Sequence, residues 1–326
     1  MRVSWLIPVR NGGHLLQPAV RSALEECEAG DEVLVVDDGS SDGAVEALEK
    51  DSRLRCLHQP PKGIVAALEY GRKQALGELI ARLDSDDVSL PGRIQRQKQL
   101  LASNPRTAAV GGRARIHRDG GEVSTGMQRY VDWLNGLQDL HSQRLIESPL
   151  FHPAATFRAS AVEEVGGYRH GDFPEDYDLW LRLVAGGWNL ENIPQDVVSI
   201  RDHDARLTRT DSRYSQAAFR RAKQSHLQDT LLSRPRNLAV WGAGRTARPW
   251  IRWLIENGHT LSAVIDIGPG VSRQGVPIHP PSALPGLEFE LLFVAVGIPQ
   301  ARQEIREQLR RVRPDLVEGK NWWAVA

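Results

Sequence analysis

Three carboxylates fall within four positions of the stretch ARLDSDDVSLPGR, residues 81–93: Asp84, Asp86 and Asp87. Like charges this close penalise one another's ionisation, so the run calls for a positive counter-charge. Two more acid pairs stand out, Asp37–Asp38 in VLVVDDGSSDG and Glu175–Asp176 in FPEDYDLWLRL. Carboxylates so grouped can hold a divalent cation or take up a proton. Far downstream, GAGRTA at 242–247 fits the pattern G-x-G-x-x-A. A turn of that kind, set between a strand and a helix, aims helix N–H groups at a pyrophosphate. Asp266 follows Gly244 by 22 residues, the place of a ribose partner.

The elements that must position these groups alternate between strand and helix. VSWLIPV (3–9) and DEVLVVDD (31–38) are short apolar runs ending in polar or glycine-rich turns, and the helical pattern LLQPAVRSALEECE lies between them. A third strand, LRCLHQ (54–59), precedes the helix GIVAALEYGRKQAL (63–76), and a fourth, GELIARLD (77–84), runs into the acidic cluster. Sheets of parallel strands bind ligands at the strands' carboxyl ends. Asp37–Asp38 and Asp84–Asp87 end two such strands, so they are expected on one rim. Beyond them, AAVGGRARIHRDGGEV predicts two strands about a Gly-Gly turn, and DYDLWLRLVAGG (176–187) an amphipathic helix.

The stretch RPRNLAVWGAGRTARPWIRWLIENG (234–258) starts a second strand–turn–helix unit, and LSAVIDIG and ELLFVAVG supply further strands. The expected division is residues 1–232 and 233–326. The pair Trp322–Trp323 in NWWAVA predicts a tail packed on a neighbouring domain or subunit, and so admits a homo-oligomer.

Composition narrows the partners. Forty-one basic and 41 acidic residues cancel, which excludes a global field drawing the chain to nucleic acid. The basic stretch 201–223 admits a peripheral contact with a membrane surface, though no apolar run approaches the roughly 18 residues of a transmembrane span. Two cysteines, Cys27 and Cys56, form no disulfide framework, and a reducing compartment, the cytoplasm, is expected.

LIPVRNGG, VLVVDDGSSDG, GIVAALEYGRKQALGELIARLDSDDVSLPGR and EDYDLWLRL come in the order and approximate spacing seen in family 2 glycosyltransferases of the GT-A fold, and the first 225 residues resemble that family. The resemblance implies an α/β GT-A nucleotide-sugar-binding domain, with a mixed, mostly parallel sheet flanked by helices. The second part is similar to the small Rossmann-like domains appended to some sugar-modifying proteins. The implied activity is metal-dependent, inverting transfer of a sugar from a nucleotide donor, uridine-based in most relatives, to a saccharide or lipid-linked acceptor in surface-polysaccharide or glycan biosynthesis.

By the same resemblance Asp86 ligates Mg²⁺ or Mn²⁺, and Asp84 touches the donor ribose or the metal through water. His203, in SIRDHDARLT, reaches the metal or the diphosphate. Asp38 accepts a hydrogen bond from the donor base, Asp37 contacts the ribose or fixes the turn, and Pro8, Val9 and Asn11 line the nucleoside pocket. Asp176 is the expected general base, with Glu175 as the second choice, and His152 lines the acceptor side. Asp87 is expected to cap the turn into LPGR. Glu69 departs from the family, which commonly has Asn there. Two other readings compete: a nicotinamide-dependent sugar-nucleotide oxidoreductase centred on Gly242, Gly244 and Asp266, and a binding module that senses nucleotide sugars without turnover. A nucleotide at the second domain's glycine turn is a further expectation, against a scaffold role in which Gly242 and Gly244 serve close packing.

Overall fold

The computed structural model describes residues 1–268 and 270–326. The chain divides into two compact units: Met1–Gln138 with Ser148–Ala222, and Asp139–Glu147 with Lys223–Ala326.

The first unit is built on strands β1 (Val3–Val9), β2 (Glu32–Asp37), β3 (Leu54–His58), β4 (Leu79–Arg82), β5 (Val88–Ser89), β6 (Thr107–His117), β7 (Thr156–Arg158) and β8 (Asn189–Arg201). They form one sheet in the order β3-β2-β1-β4-β7-β6-β8-β5. Neighbours from β3 to β4 run parallel, β7 opposes both β4 and β6, β6 and β8 are parallel, and β5 opposes β8. Every residue of β1 and β2 is buried, as expected of parallel strands covered on both faces. Their apolar runs therefore carry no alternation. The helices Leu16–Glu25 and Ile64–Gln74 make the crossovers before β2 and β4.

The turn expected in AAVGGRARIHRDGGEV is absent at its first Gly-Gly pair: Gly111 and Gly112 lie inside β6. A Cβ on Gly111 would sit 2.8 Å from Leu150 Cδ2, and one on Gly112 would sit 2.7 Å from both methyls of Val197. The glycines are there for close packing within the sheet, a use that a turn signal does not distinguish.

The helix Arg93–Ser103 fastens the acidic loop to the sheet. Arg93 is fully buried, with its guanidinium 4.9 Å from the centre of the Trp5 ring. It donates to the carbonyls of Arg82, Pro153 and Ala155 and to Gln97 Oε1. Gln97, also fully buried, donates to the carbonyls of Val110, Gly111 and Ala154. Two side chains one helical turn apart thus bind backbone carbonyls from β4, from β6 and from the segment 153–155 before β7.

The second unit is a six-stranded sheet of β9 (Asn237–Trp241), β10 (Thr260–Ile265), β11 (Ser272–Arg273), β12 (Val276–His279), β13 (Leu291–Val294) and β14 (Trp322–Ala324). The order is β11-β12-β10-β9-β13-β14, parallel apart from the β11–β12 pair. The tail tryptophans belong to this unit's own sheet, which corrects the expectation of a tail docked elsewhere. Trp322 and Trp323 form β14 and are buried. The Arg144 guanidinium lies 4.3 Å from the centre of the Trp323 ring, and Lys223 Nζ donates to the carbonyls of Ile146 and Val325. Among the described residues no helix is long and apolar enough to cross a membrane.

Replacing Arg93 by methionine strands the carbonyls of Arg82 and Pro153. Arg93→Met is expected to cost about 3 kcal/mol or more in chemical denaturation, whereas Arg96→Met on the exposed side of the same helix should stay within about 0.5 kcal/mol of the parent. Equal costs for the two would show that the Arg93 network is not what fastens the loop.

Candidate active site

The loops after β1 and β2 are laced together. Asn11, at a φ of 55°, donates its N–H to Ser40 Oγ at 2.9 Å and accepts from the Ser41 N–H through Oδ1 at 2.9 Å. Asparagine tolerates this left-handed conformation better than most residues. Pro8 and Val9 are buried in the last part of β1, and the Val9 carbonyl accepts from the Asp38 N–H at 2.9 Å. Asp37 accepts from the Ser40 N–H at 2.8 Å and pairs with His58 Nδ1 at 3.1 Å. Burial opposes its ionisation, yet the bonds from Ser40 and His58 outweigh that and hold the carboxyl below the usual range. Asp38 is 4% exposed, and its carboxylate accepts from Gln59 Nε2 and from the N–H groups of Lys62 and Gly63, at 2.6, 2.8 and 2.8 Å. It thereby ties the loop after β3 to the end of β2.

The acidic loop leaves β4 and meets three different environments. Asp84 pairs with Arg82, whose side chain is 3% exposed. Burial works against the ionised form of Asp84, but Arg82, Arg206 and His152 hold its carboxyl below the ordinary value. Asp86 lies 2.9 Å from His203 Nε2. Burial and the neighbouring Asp84 push its carboxyl up, against the pull of Arg206 and His203. Asp87 is fully buried, and its Oδ1 accepts from the Arg201 N–H at 2.9 Å. Burial, then Asp84 and Asp86, raise it well above the carboxylate range, so it pins β8 to the loop in place of capping a turn. Among the described residues no three His, Cys, Asp or Glu side chains converge as a self-sufficient metal cage.

The other acid pair opens the helix Glu175–Ala185. Its two members differ sharply. Glu175 is 2% exposed, and the Tyr214 hydroxyl lies 2.9 and 2.8 Å from its two oxygens. Burial pushes this carboxyl up. Asp176 is partly exposed, and its Oδ1 accepts from the Tyr177 N–H at 2.7 Å. His152 is buried against Tyr168, with Nε2 2.8 Å from the phenol oxygen, and burial beside Arg82 drives its pKa well down. Glu69 grips Arg72 through both oxygens and accepts from the Tyr168 N–H.

Sequence reasoning missed three residues here. The charge of Arg206 pulls down the carboxyls of all three aspartates of the loop, Arg82 pairs with Asp84, and the Tyr214 hydroxyl meets Glu175. Arg206 was legible only as one cation of a basic stretch. Nothing in the sequence singles out Tyr214.

Gly242, Gly244 and Asp266 belong to the second unit. Gly242 has a φ of 118°, and a Cβ there would lie 2.9 Å from the Ala295 carbonyl oxygen. Asp266 accepts from the Ala243 N–H at 2.6 Å and from the Gly268 N–H at 2.7 Å. Its two oxygens thus serve the glycine turn and the loop after β10.

Comparison with known proteins decides the family. The profile of glycosyl transferase family 2 matches residues 4–166, half of the chain. The chain belongs to this family. It is 28% identical over 191 residues to the amylovoran biosynthesis glycosyltransferase AmsE of Erwinia amylovora, covering 57% of this chain and 70% of that one. To the Escherichia coli UDP-Gal:alpha-D-GlcNAc-diphosphoundecaprenol beta-1,3-galactosyltransferase it is 27% identical over 201 residues, covering 60% and 71%. The crystal structure of S. aureus TarS 1-349 in complex with UDP-GlcNAc aligns with a TM-score of 0.53 at 14% identity, over 71% of this chain and 67% of that one. The mannosyltransferase PcManGT from Pyrobaculum calidifontis, in complex with GDP-Man and Mn²⁺, aligns at 0.50 and 19% identity, over 70% and 62%. These likenesses carry the fold, and the expected GT-A-type mixed α/β architecture is what the family 2 chain has.

Burial of Glu175 has a pH signature. An unfolded Glu ionises near pH ~4.3, and the native group holds its proton to higher pH, so the stability it contributes is present at low pH and is lost as pH rises through the native value. Glu175→Gln removes that loss. The variant's denaturation midpoint is expected to gain on the parent's as pH is raised from about 4 to about 8. A constant difference across that range would contradict the assignment.

Proposed function

We propose that this family 2 glycosyltransferase is metal-dependent and inverting, and that it moves a sugar from a uridine-diphosphate donor to a saccharide or lipid-linked acceptor in the assembly of a surface polysaccharide or other glycan. The observation that carries the reading is the division of labour between two acid clusters of one unit. Asp86, crowded by Asp84, is paired with His203, while Asp176 is the partly exposed member of a pair whose other carboxyl is sealed.

The residues around Asp86 fit a divalent cation. Their carboxylate oxygens and imidazole nitrogen suit Mn²⁺, or Mg²⁺ with fewer protein ligands, and an incomplete set leaves positions for phosphate oxygens. A cation there also relieves the repulsion that raises the Asp86 carboxyl. Asp86 and His203 would hold it, and Asp84 would contact it through water or meet the donor ribose. When bound, such an ion neutralises charge developing on the departing diphosphate.

Asp37 and Asp38, with Pro8, Val9 and Asn11, are assigned to the nucleoside end. The tight lacing of their loops supports a preformed pocket wall. On the acceptor side, Asp176 takes the proton from the attacking hydroxyl. That oxygen forms its bond to the anomeric carbon as the bond to the diphosphate oxygen breaks on the opposite face. The electron pair leaves with the nucleotide, and the configuration inverts. Glu175 is too enclosed to meet an acceptor, which favours Asp176.

One relative and two fold neighbours support a nucleotide-sugar donor. The E. coli relative is a transferase from UDP-Gal to a diphosphoundecaprenol-linked sugar, TarS was crystallised with UDP-GlcNAc, and the P. calidifontis enzyme with GDP-Man and Mn²⁺. The two cysteines are unpaired, which supports a cytoplasmic setting. In the second unit, the use of both Asp266 oxygens within the chain supports a scaffold role for GAGRTA over nucleotide binding.

Asp86→Ala is expected to lower affinity for UDP-galactose in Mn²⁺ by about a hundredfold and to abolish the dependence of binding on metal, with thermal stability kept. Unchanged affinity and metal response in calorimetric titration would remove Asp86 from the metal site. Asp176→Asn should bind UDP-galactose with parental affinity yet lose about a hundredfold or more in turnover, the usual contribution of a general base. Turnover within a few-fold of the parent would move the base elsewhere.

A further inference from the structure

The segment that follows β8 runs from one acid cluster to the other. Near its start His203 pairs with Asp86, and Arg206 donates to the carbonyl of Arg201 at 2.7 Å. Arg209 then grips Asp202 at 2.7 Å and Asp204 at 2.9 Å, which folds the segment on itself. Asp211 caps a short turn, Ser212–Tyr214, accepting from the Arg213 N–H and from its guanidinium. The turn ends by presenting the Tyr214 hydroxyl to Glu175. Burial raises the Tyr214 phenol well above its ordinary value, so it stays a donor.

We propose that Tyr214 is a positioning residue that, by holding Glu175, sets the first turn of the helix Glu175–Ala185 and with it the neighbouring Asp176. The inference rests on the reading of Asp176 as the base and adds the group that orients it. Glu175 is the first residue of its helix and is sealed, with both oxygens within hydrogen-bond range of one hydroxyl, so this contact ties the start of the helix, where Asp176 follows, to the turn Ser212–Tyr214. Because the hydroxyl sits on the segment that also carries His203 and Arg206, seating that segment at the acidic loop and fixing the base become one event.

The other groups around Glu175 are few. Arg213 from the same turn and Arg82 from β4 pull its carboxyl down, and Tyr168 and Tyr214 are the ionisable phenols in its field, with Asp176 beside it in sequence. Of these only Tyr214 and Arg213 belong to the segment after β8. Removing the Tyr214 hydroxyl should therefore raise the midpoint at which Glu175 titrates.

The test uses the full chain, with Tyr214→Phe, Asp176→Asn and the parent. Three quantities are measured: affinity for UDP in Mn²⁺ by calorimetry, hydrolysis of UDP-galactose in Mn²⁺ with water as acceptor, and the titration of Glu175 by carboxyl NMR. Tyr214→Phe is expected to bind UDP within about twofold of the parent, to lose about tenfold in kcat, and to shift the Glu175 titration to higher pH, the scale of one hydrogen bond to a carboxylate. An unmoved Glu175 titration overturns the proposal, and so does an unmoved kcat even where the titration moves. If hydrolysis by the parent is too slow for kcat, the titration alone decides. If Asp176→Asn hydrolyses at the parental rate while Tyr214→Phe behaves as expected, the base assignment fails and the Tyr214–Glu175 contact still governs the step. If Asp176→Asn is inactive and Tyr214→Phe is parental, the base stands and the positioning role falls.

Discussion

Mutual repulsion among Asp84, Asp86 and Asp87 is the constraint on which the arrangement of the first unit turns. Three carboxylates within four residues cannot all be buried, ionised and alone. Each is stabilised differently. Asp84 takes the buried guanidinium of Arg82, Asp86 takes the imidazole of His203, and Asp87, whose carboxyl burial pushes well up, accepts from a backbone N–H. Two of these solutions depend on β8 and the segment after it, more than a hundred residues downstream. The long parallel β6–β8 pairing is what brings that chain end back to the loop. Asp86 keeps the imidazole of His203 as its partner, whereas the second oxygen of Asp87 is buried without a hydrogen bond.

The loop must also be held from below. Arg93 and Gln97 do this with neutral acceptors, so the helix after the acidic run is locked to the ends of β4 and to the turn before β7 without another carboxylate. A buried guanidinium with a carboxylate partner would have added a fourth negative charge near the site. Carbonyls and the Trp5 face satisfy Arg93 with no such cost to the donor side. The second unit uses the same device, with Arg144 over Trp323 and Lys223 donating to two carbonyls.

The two acid pairs outside the loop show how environment separates residues of one chemical type. Asp37 and Asp38 are engaged by the chain's own donors and define loop geometry. Glu175 and Asp176 are adjacent in sequence, but the first is buried and the second partly exposed. The buried carboxyl is held by one phenol, and the partly exposed one accepts from the N–H of the next residue in its own helix.

Much of this was legible in the order of residues. Apolar runs such as VSWLIPV and EVLVVD determined buried parallel strands, because only both-face burial removes alternation, and the acids after them fell on loops at the strands' carboxyl ends. The motif order carried the family and the GT-A-type fold. What the chain order left open depended on contacts distant in sequence. Whether Gly111–Gly112 makes a turn was decided by Leu150 and Val197, since a glycine signals space without saying what fills it. Where Trp323 packs was decided by Asp139–Glu147, a segment that no local pattern links to the tail. Which way the ionisation of each acid shifts was decided by burial together with Arg82, Arg206 and Tyr214, because an ionisation state is set by burial and neighbours, and those exist only once the chain has folded.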